Sequence, residues 1–329
     1  MLFHVAALLT CAVAIYLACE WFVNAVEWLG VRLKMGTLAI GTVLAAIGTA
    51  LPESVVTLVA VTMGHSSESK KIGVGAAMGG PLALATIAYG VSGYMLLRKK
   101  RGPHPLKDVD LSQLPKDQLW FLVIFFVKVS LGLVAFSLKP WLGLLFFAAY
   151  GAYFIKEILA DSERHTDAEL NPLKMQPSRG VPTAWAIGAQ TLSSLIVIFV
   201  ASKLFVAQLE WAGPALGLSA TVTALLLSPV ATELPEVMNA IIWIRQGKTS
   251  LALANISGAM MIQATVPSGL GLLFTPWKFD GPLILSGAVT IAAILYLLFL
   301  LRTKNFTPRK VSIVGLFYAV FAGGLILIG

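Results

Sequence analysis

Two glutamates, Glu53 and Glu236, close the triplets Leu51-Pro52-Glu53 and Leu234-Pro235-Glu236, and each falls midway along an apolar run long enough to cross a bilayer. An ionised carboxylate at that depth costs a few kcal/mol and survives only where it faces a partner or a wet cavity. The preceding proline donates no hydrogen bond, and its ring pushes away the carbonyl four residues back. That frees the carbonyls of Gly48 and Ala231, and Pro229 would free Leu225. Thr49 and Thr232, four residues before the glutamates, add hydroxyl oxygens on the same helical face. Carboxylate, carbonyl and hydroxyl oxygens together suit a hard cation such as Ca²⁺, which takes roughly six to eight oxygen ligands. Glu233 offers a third carboxylate three residues before Glu236, where the first triplet has Ala50. It could coordinate, carry a proton, or turn toward a water-filled vestibule. Asn239 and Gln263 are auxiliary ligands or amides that bridge helices. His4, His65, His104 and His165 lie near span ends or in loops, and without an intramembrane His or Cys cluster softer transition metals are disfavoured.

The elements that must hold these groups are membrane helices. Of 329 residues 57% are hydrophobic and 12% charged, against about 25% charged in soluble domains. Ten candidate spans emerge, at about 3–27, 37–62, 72–97, 119–138, 140–158, 183–207, 219–243, 251–273, 282–301 and 311–328. Two longer polar connections, Arg98 to Gln118 and Lys156 to Val181, read as partly disordered. With loops alternating sides, most of the 24 Lys and Arg share one side, and the exceptions are Lys70, Lys71, Lys128, Lys139, Lys203 and Lys278. The basic side is then cytoplasmic and both termini are extracytoplasmic. The formal charge of +8 thus reads as cytoplasmic anchoring, not nucleic-acid binding. Cys11 and Cys19 lie in the first span and read as small packing groups, with no disulfide or metal. The first run follows no basic segment and precedes no cleavage pattern, so it reads as a retained helix. The compact loops and the absence of a targeting segment suggest a prokaryotic plasma membrane.

An offset of 183 residues superimposes Glu27-Trp28 on Glu210-Trp211, Gly30 on Gly213 and Thr49 on Thr232. Leu51-Pro52-Glu53 then meets Leu234-Pro235-Glu236, and Gly64, Ser67 and Gly75 meet Gly247, Ser250 and Gly258. Chance does not hold one register that long. Five spans precede the second copy, so it enters from the opposite side and the expected fold is all-α, ten helices in two inverted five-helix repeats. The organisation reads as residues 1–160 for the first repeat, 161–182 for a cytoplasmic linker, and 183–329 for the second repeat. Small-residue runs at Gly73–Gly80 and Ser257–Ala259 permit close helix approach, or backbone approach to an ion. Glu20 and its equivalent Lys203 read as snorkelling to the interface, and the Glu-Trp pairs as interfacial anchors.

Gly48-Thr49-Ala50-Leu51-Pro52-Glu53 and Ala231-Thr232-Glu233-Leu234-Pro235-Glu236 resemble the paired alpha-repeat motifs of the cation/calcium exchanger superfamily. The resemblance covers spans two, three, seven and eight by motif and the whole chain by its five-plus-five organisation. It implies an inverted-repeat secondary transporter, not an enzyme, in which Glu53 and Glu236 bind Ca²⁺ or Na⁺ centrally with oxygens around Thr49 and Thr232. The family motif usually reads Gly-Thr-Ser-Leu-Pro-Glu, whereas Ser is replaced here by Ala50 and Glu233. Where the family typically has a Ser after Gly and an Asn or Asp four residues on, this chain has Ala76 with Gly80, and Ala259 with Gln263. The implied activity is antiport of Ca²⁺ against Na⁺ by alternating access, with no cofactor. A proton-coupled cation exchanger of the same fold is the alternative, and a cation channel or a paired-carboxylate enzyme lies further off. The implied partners are Ca²⁺, Na⁺ or H⁺ and the lipid bilayer.

Overall fold

The computed structural model describes residues 2–33, 46–62, 67–98, 106, 109–161, 170–215, 217–226, 229 and 232–328. Among these residues every regular element is helical. A chain this apolar must satisfy its backbone groups internally, and helices do so within one segment. The first half supplies α1 (Leu2–Arg32), α2 (Ala46–Thr62), α3 (Ser67–Ala83), a π-helical turn at Leu84–Ala88, α4 (Tyr89–Arg98), α5 (Leu114–Leu133) and α6 (Gly143–Asp161). The second supplies α7 (Ala184–Ala215), α8 (Ala220–Leu226), α9 (Leu234–Gln246), α10 (Thr249–Phe274), α11 (Gly281–Arg302), α12 (Pro308–Ile313) and α13 (Leu316–Ile328).

Six helical stretches among the described residues are long and apolar enough to span a membrane: Leu9–Arg32, Ser69–Arg98, Ala184–Ala201, Thr249–Phe274, Gly281–Arg302 and Pro308–Ile328. Helices α5 and α6, of 20 and 19 residues, reach about 30 Å at 1.5 Å per residue. Of the second expected span, residues 37–45 lie outside the described residues, and the described part is α2. The seventh expected span contains a fresh helix start: Glu233 lies in a bend and α9 begins at Leu234, while residues 227–228 and 230–231 lie outside the described residues.

Helix α10 forms the centre, buried along nearly its whole length and packed against α2, α3, α5, α6 and α9. Helix α1 lies along α7 and touches α9. The outer faces expose large apolar side chains, including Val123, Phe126, Trp185, Leu192 and Leu327. Such a continuous apolar exterior matches lipid rather than water.

The first Leu-Pro-Glu does not break its helix, because α2 continues through Pro52 to Thr62. The second starts one. Lys128 and Lys139, counted with the outer-side charges, are buried at 0% and 5% exposure; Lys128 is inside α5. Lys139 donates to the carbonyls of Leu131, Val134 and Trp277 at 3.1, 2.7 and 3.0 Å, closing the end of α5. Glu27 is not an interfacial anchor: it is buried and pairs with Lys248 while Trp243 Nε1 donates to it at 3.1 Å. Lys248 reaches it because Gly247, at φ 90°, ends α9 in the left-handed conformation that glycine adopts without a steric penalty. Glu20 accepts from Tyr16 and pairs with Lys174 at 3.2 Å. The connection after α6 is partly packed: Leu173 is fully buried, and Asn24 bridges Lys174 N and Gln190 at 2.9 and 3.0 Å. Its residues 162–169, together with Ala231, His65, His104, His165 and the Lys203 and Glu210 side chains, lie outside what the structure describes.

Candidate ion-binding site

Helix α9 begins at the second Leu-Pro-Glu, with Glu233 as the capping residue and Pro235 and Glu236 in the first turn. Proline fits there because the first-turn N–H groups have no intrahelical partner. The positive end of the helix therefore lies beside the Glu236 carboxylate. Glu53 has no such support, since it sits inside α2. Both carboxylates are buried, at 1% exposure for Glu53 and 0% for Glu236, and each is within electrostatic range of the other.

The threonines serve crosswise. Thr232 lies beside the Glu53 carboxylate, and Thr49 lies beside that of Glu236. Each half thus supplies a hydroxyl to the other half's acid, a pairing that spacing within one helix does not show. Among the described residues neither carboxylate has a hydrogen bond of good geometry.

Glu233 is neither exposed nor facing a vestibule, with 2% exposure. Thr232 Oγ1 donates to its Oε1 at 3.0 Å, and Gln263 Nε2 to its Oε2 at 2.7 Å. Gly80 makes this arrangement possible: a Cβ there would stand 2.8 Å from Gln263 Oε1 and 3.0 Å from Glu233 Oε1. The missing side chain in the first half is the space that Glu233 and Gln263 of the second half fill.

Other small residues pack helices. A Cβ on Gly75 would stand 2.8 Å from that of Ala224, and one on Gly79 2.6 Å from Pro229 Cγ. Gly48 seats α2 against the Phe22 ring of α1. Prolines again free carbonyls: Pro81 in α3 leaves that of Ala77, and Pro267 in α10 leaves that of Gln263. Lys128 Nζ donates to the first at 2.8 Å, and Ser268 Oγ to the second at 3.5 Å.

Several polar atoms around the acids are buried without a hydrogen bond: both oxygens of Glu53 and of Glu236, both amide atoms of Asn239, Oε1 of Gln263 and Oγ1 of Thr57. Buried polar groups are almost always paired, so a group of unpaired polar atoms, most of them acceptors, calls for a water or an ion. Thr57 was not apparent in the sequence; its signal is its place four residues after Glu53, one helical turn on. Among the described residues no three His, Cys, Asp or Glu side chains gather closely enough to hold a metal. A cation between Glu53 and Glu236 would have to draw on hydroxyl, amide and backbone oxygens as well, a donor set suited to Na⁺ or Ca²⁺. Both thiols are free, and Cys19 packs with its Sγ 4.0 Å from the Pro235 carbonyl.

A family model described as sodium/calcium exchanger protein matches residues 3–157 and 187–327. The inner membrane protein YrbG of Escherichia coli (strain K12) is 27% identical over 298 residues, covering 88% of this chain and 84% of that protein. Solved structures of the sodium-calcium exchanger NCX_Mj share the fold. The form soaked with 2.5 mM Na⁺ and 0.1 mM Ca²⁺ gives a TM-score of 0.74 at 19% identity, covering 99% of both chains. The form soaked without Na⁺ and Ca²⁺ gives 0.73 at 21% identity, covering 98% of this chain and 99% of that one. With both motif-bearing halves inside the matched segments, the chain belongs to the sodium/calcium exchanger family of membrane transporters.

Proposed function

We propose that this protein is a secondary active antiporter that exchanges Ca²⁺ for Na⁺ by alternating access at the Glu53–Glu236 site. The observation that carries the reading is the pair of buried carboxylates from the two motifs, each beside the other half's threonine. Thr49, Thr232, Glu233, Gly48, Ala231, Gln263 and Asn239 complete the oxygen set in this reading. Ten spans form two inverted repeats, residues 1–160 and 183–329, joined by a cytoplasmic linker at 161–182. Both termini are extracytoplasmic, in a plasma membrane.

Coupling follows from charge. Moving buried carboxylates between two access states without a counter-ion leaves uncompensated charge in a low-dielectric interior. Rearrangement is therefore fast only when Ca²⁺ or Na⁺ occupies the site. The inverted halves supply two arrangements of similar energy, related by exchanging their roles.

Glu233 favours a second reading, in which H⁺ replaces Na⁺. Its carboxylate is held by Thr232 and Gln263, in hydrogen bonds that a third, proton-carrying acid can keep. Reconstituted proteoliposomes distinguish the two. The antiport reading expects Ca²⁺ uptake driven by an outward Na⁺ gradient and lost in Glu53→Gln and Glu236→Gln. Uptake that follows a pH gradient and ignores Na⁺ overturns sodium coupling.

A further inference from the structure

One buried charge has no role assigned in the exchange cycle above. Lys128 is fully buried in the interior of α5, with its ammonium 4.8 Å from the centre of the Phe125 ring. Its carbonyl is also tied down, accepting from Trp277 Nε1 at 3.1 Å. The ammonium donates to the Ala77 carbonyl, which Pro81 has left without its helical partner. An ammonium has three N–H groups, and that bond uses one. Gly73 packs against the Thr57 carbonyl of α2, so one turn further along each antiparallel helix Ala77 comes opposite Glu53, and the ammonium bound to Ala77 lies within electrostatic range of that acid.

The two central acids differ in their surroundings. Glu236 sits in the first turn of α9, where the helix itself offers positive potential. Glu53, inside α2, has no helix end and has Lys128 instead. The repeat does not require this lysine, since α11, the span that corresponds to α5 in the second half, contains none. The first half also lacks the polar side chain that Gln263 gives the second, having Gly80 there.

We propose that Lys128 is a tethered cation of the transport site, standing beside Glu53 so that the site takes up less positive charge from solution than its carboxylates alone would demand. The proposal rests on the antiport reading and specifies its stoichiometry. A plain structural role competes with it: the ammonium would merely cap the Ala77 carbonyl and fix α5 to α3.

Three variants separate the two: Lys128→Met, Lys128→Arg and the double variant Lys128→Met with Glu53→Gln. Purified protein is titrated with CaCl₂ and with NaCl while its thermal midpoint is followed. Proteoliposomes then give the Na⁺ dependence of Ca²⁺ exchange. Removing a like charge from the site is expected to raise apparent Ca²⁺ affinity in Lys128→Met by about tenfold and to raise the Hill coefficient for Na⁺. Lys128→Arg should stay near wild type in both. Wild-type affinity and Hill coefficient in a folded Lys128→Met protein overturn the proposal. If Lys128→Met fails to fold, removing both charges should restore the fold, and a double variant as unstable as the single one overturns the proposal as well. A wild-type protein that exchanges no Ca²⁺ for Na⁺ counts against the antiport reading alone, because the CaCl₂ and NaCl titrations of purified wild type and Lys128→Met read the effect of the Lys128 charge on cation binding without transport.

Discussion

Gly80→Ala tests whether the space between the halves is part of the binding site. The added methyl would stand 2.8 Å from Gln263 Oε1 and 3.0 Å from Glu233 Oε1, a few tenths of an ångström inside normal contact. Both atoms end flexible side chains, so the helices need not move; the amide and the carboxylate must. Their mutual bond of 2.7 Å is an amide-to-carboxylate bond, and such bonds contribute about 1.5–3 kcal/mol. If it is lost or misaligned, apparent cation affinity falls by about 10- to 150-fold at 1.4 kcal/mol per decade. Global stability moves the other way, since alanine is favoured over glycine within a helix by about 0.5–1 kcal/mol. Ca²⁺ uptake into proteoliposomes over a range of Ca²⁺, alongside thermal unfolding of the same preparation, reads both effects. An affinity within threefold of wild type would refute the claim that Gly80, Glu233 and Gln263 form one unit of the site.

Glu53→Gln and Glu236→Gln each remove a central charge while keeping side-chain size, and Ca²⁺ exchange should fall by about 100-fold or more, the effect of a few kcal/mol of lost charge compensation. Residual exchange above a tenth of wild type in either variant would show that the other acid suffices. Thr49→Val and Thr232→Val remove hydroxyls that the structure places beside the opposite half's acid; each should lower apparent affinity up to about tenfold, measured by the same uptake assay. Lys248→Met leaves Glu27 buried without its ion partner and should destabilise the protein by about 3 kcal/mol, seen as a lower thermal midpoint in detergent. Adding Glu27→Gln to it should recover most of that loss, and equal damage in single and double variants would show that Lys248 acts by packing alone.

The acids, the prolines and the threonines are legible in the sequence because the repeat prints them twice, and apolar runs make their depth plain. Pairing across the halves is not, because spacing within a helix shows which residues share a face and never which face meets which. Thr49 reads as a neighbour of Glu53, yet the fold turns it to Glu236. The same limit explains the lysines. A charge in an apolar run is assigned by default to a loop or an interface, but Lys128 meets a carbonyl 51 residues earlier in the chain, exposed by a proline whose effect is obvious only in the Leu-Pro-Glu helices. Glu27 is misread for the same reason, since its partner Lys248 is 221 residues away. Pro52 and Pro235 show a further distinction. Identical triplets produce a continuous α2 and a new start at α9, so helix breaking depends on what precedes the motif: Pro229 stands in the second copy where the first has Ala46. That difference has an electrostatic consequence: the copy that restarts its helix gives its acid a helix end, and the copy that runs on leaves its acid to the ammonium of a neighbouring helix. Sequence symmetry of the two motifs therefore conceals two unlike ways of holding the same charge, and substitutions at equivalent positions should not have equivalent effects.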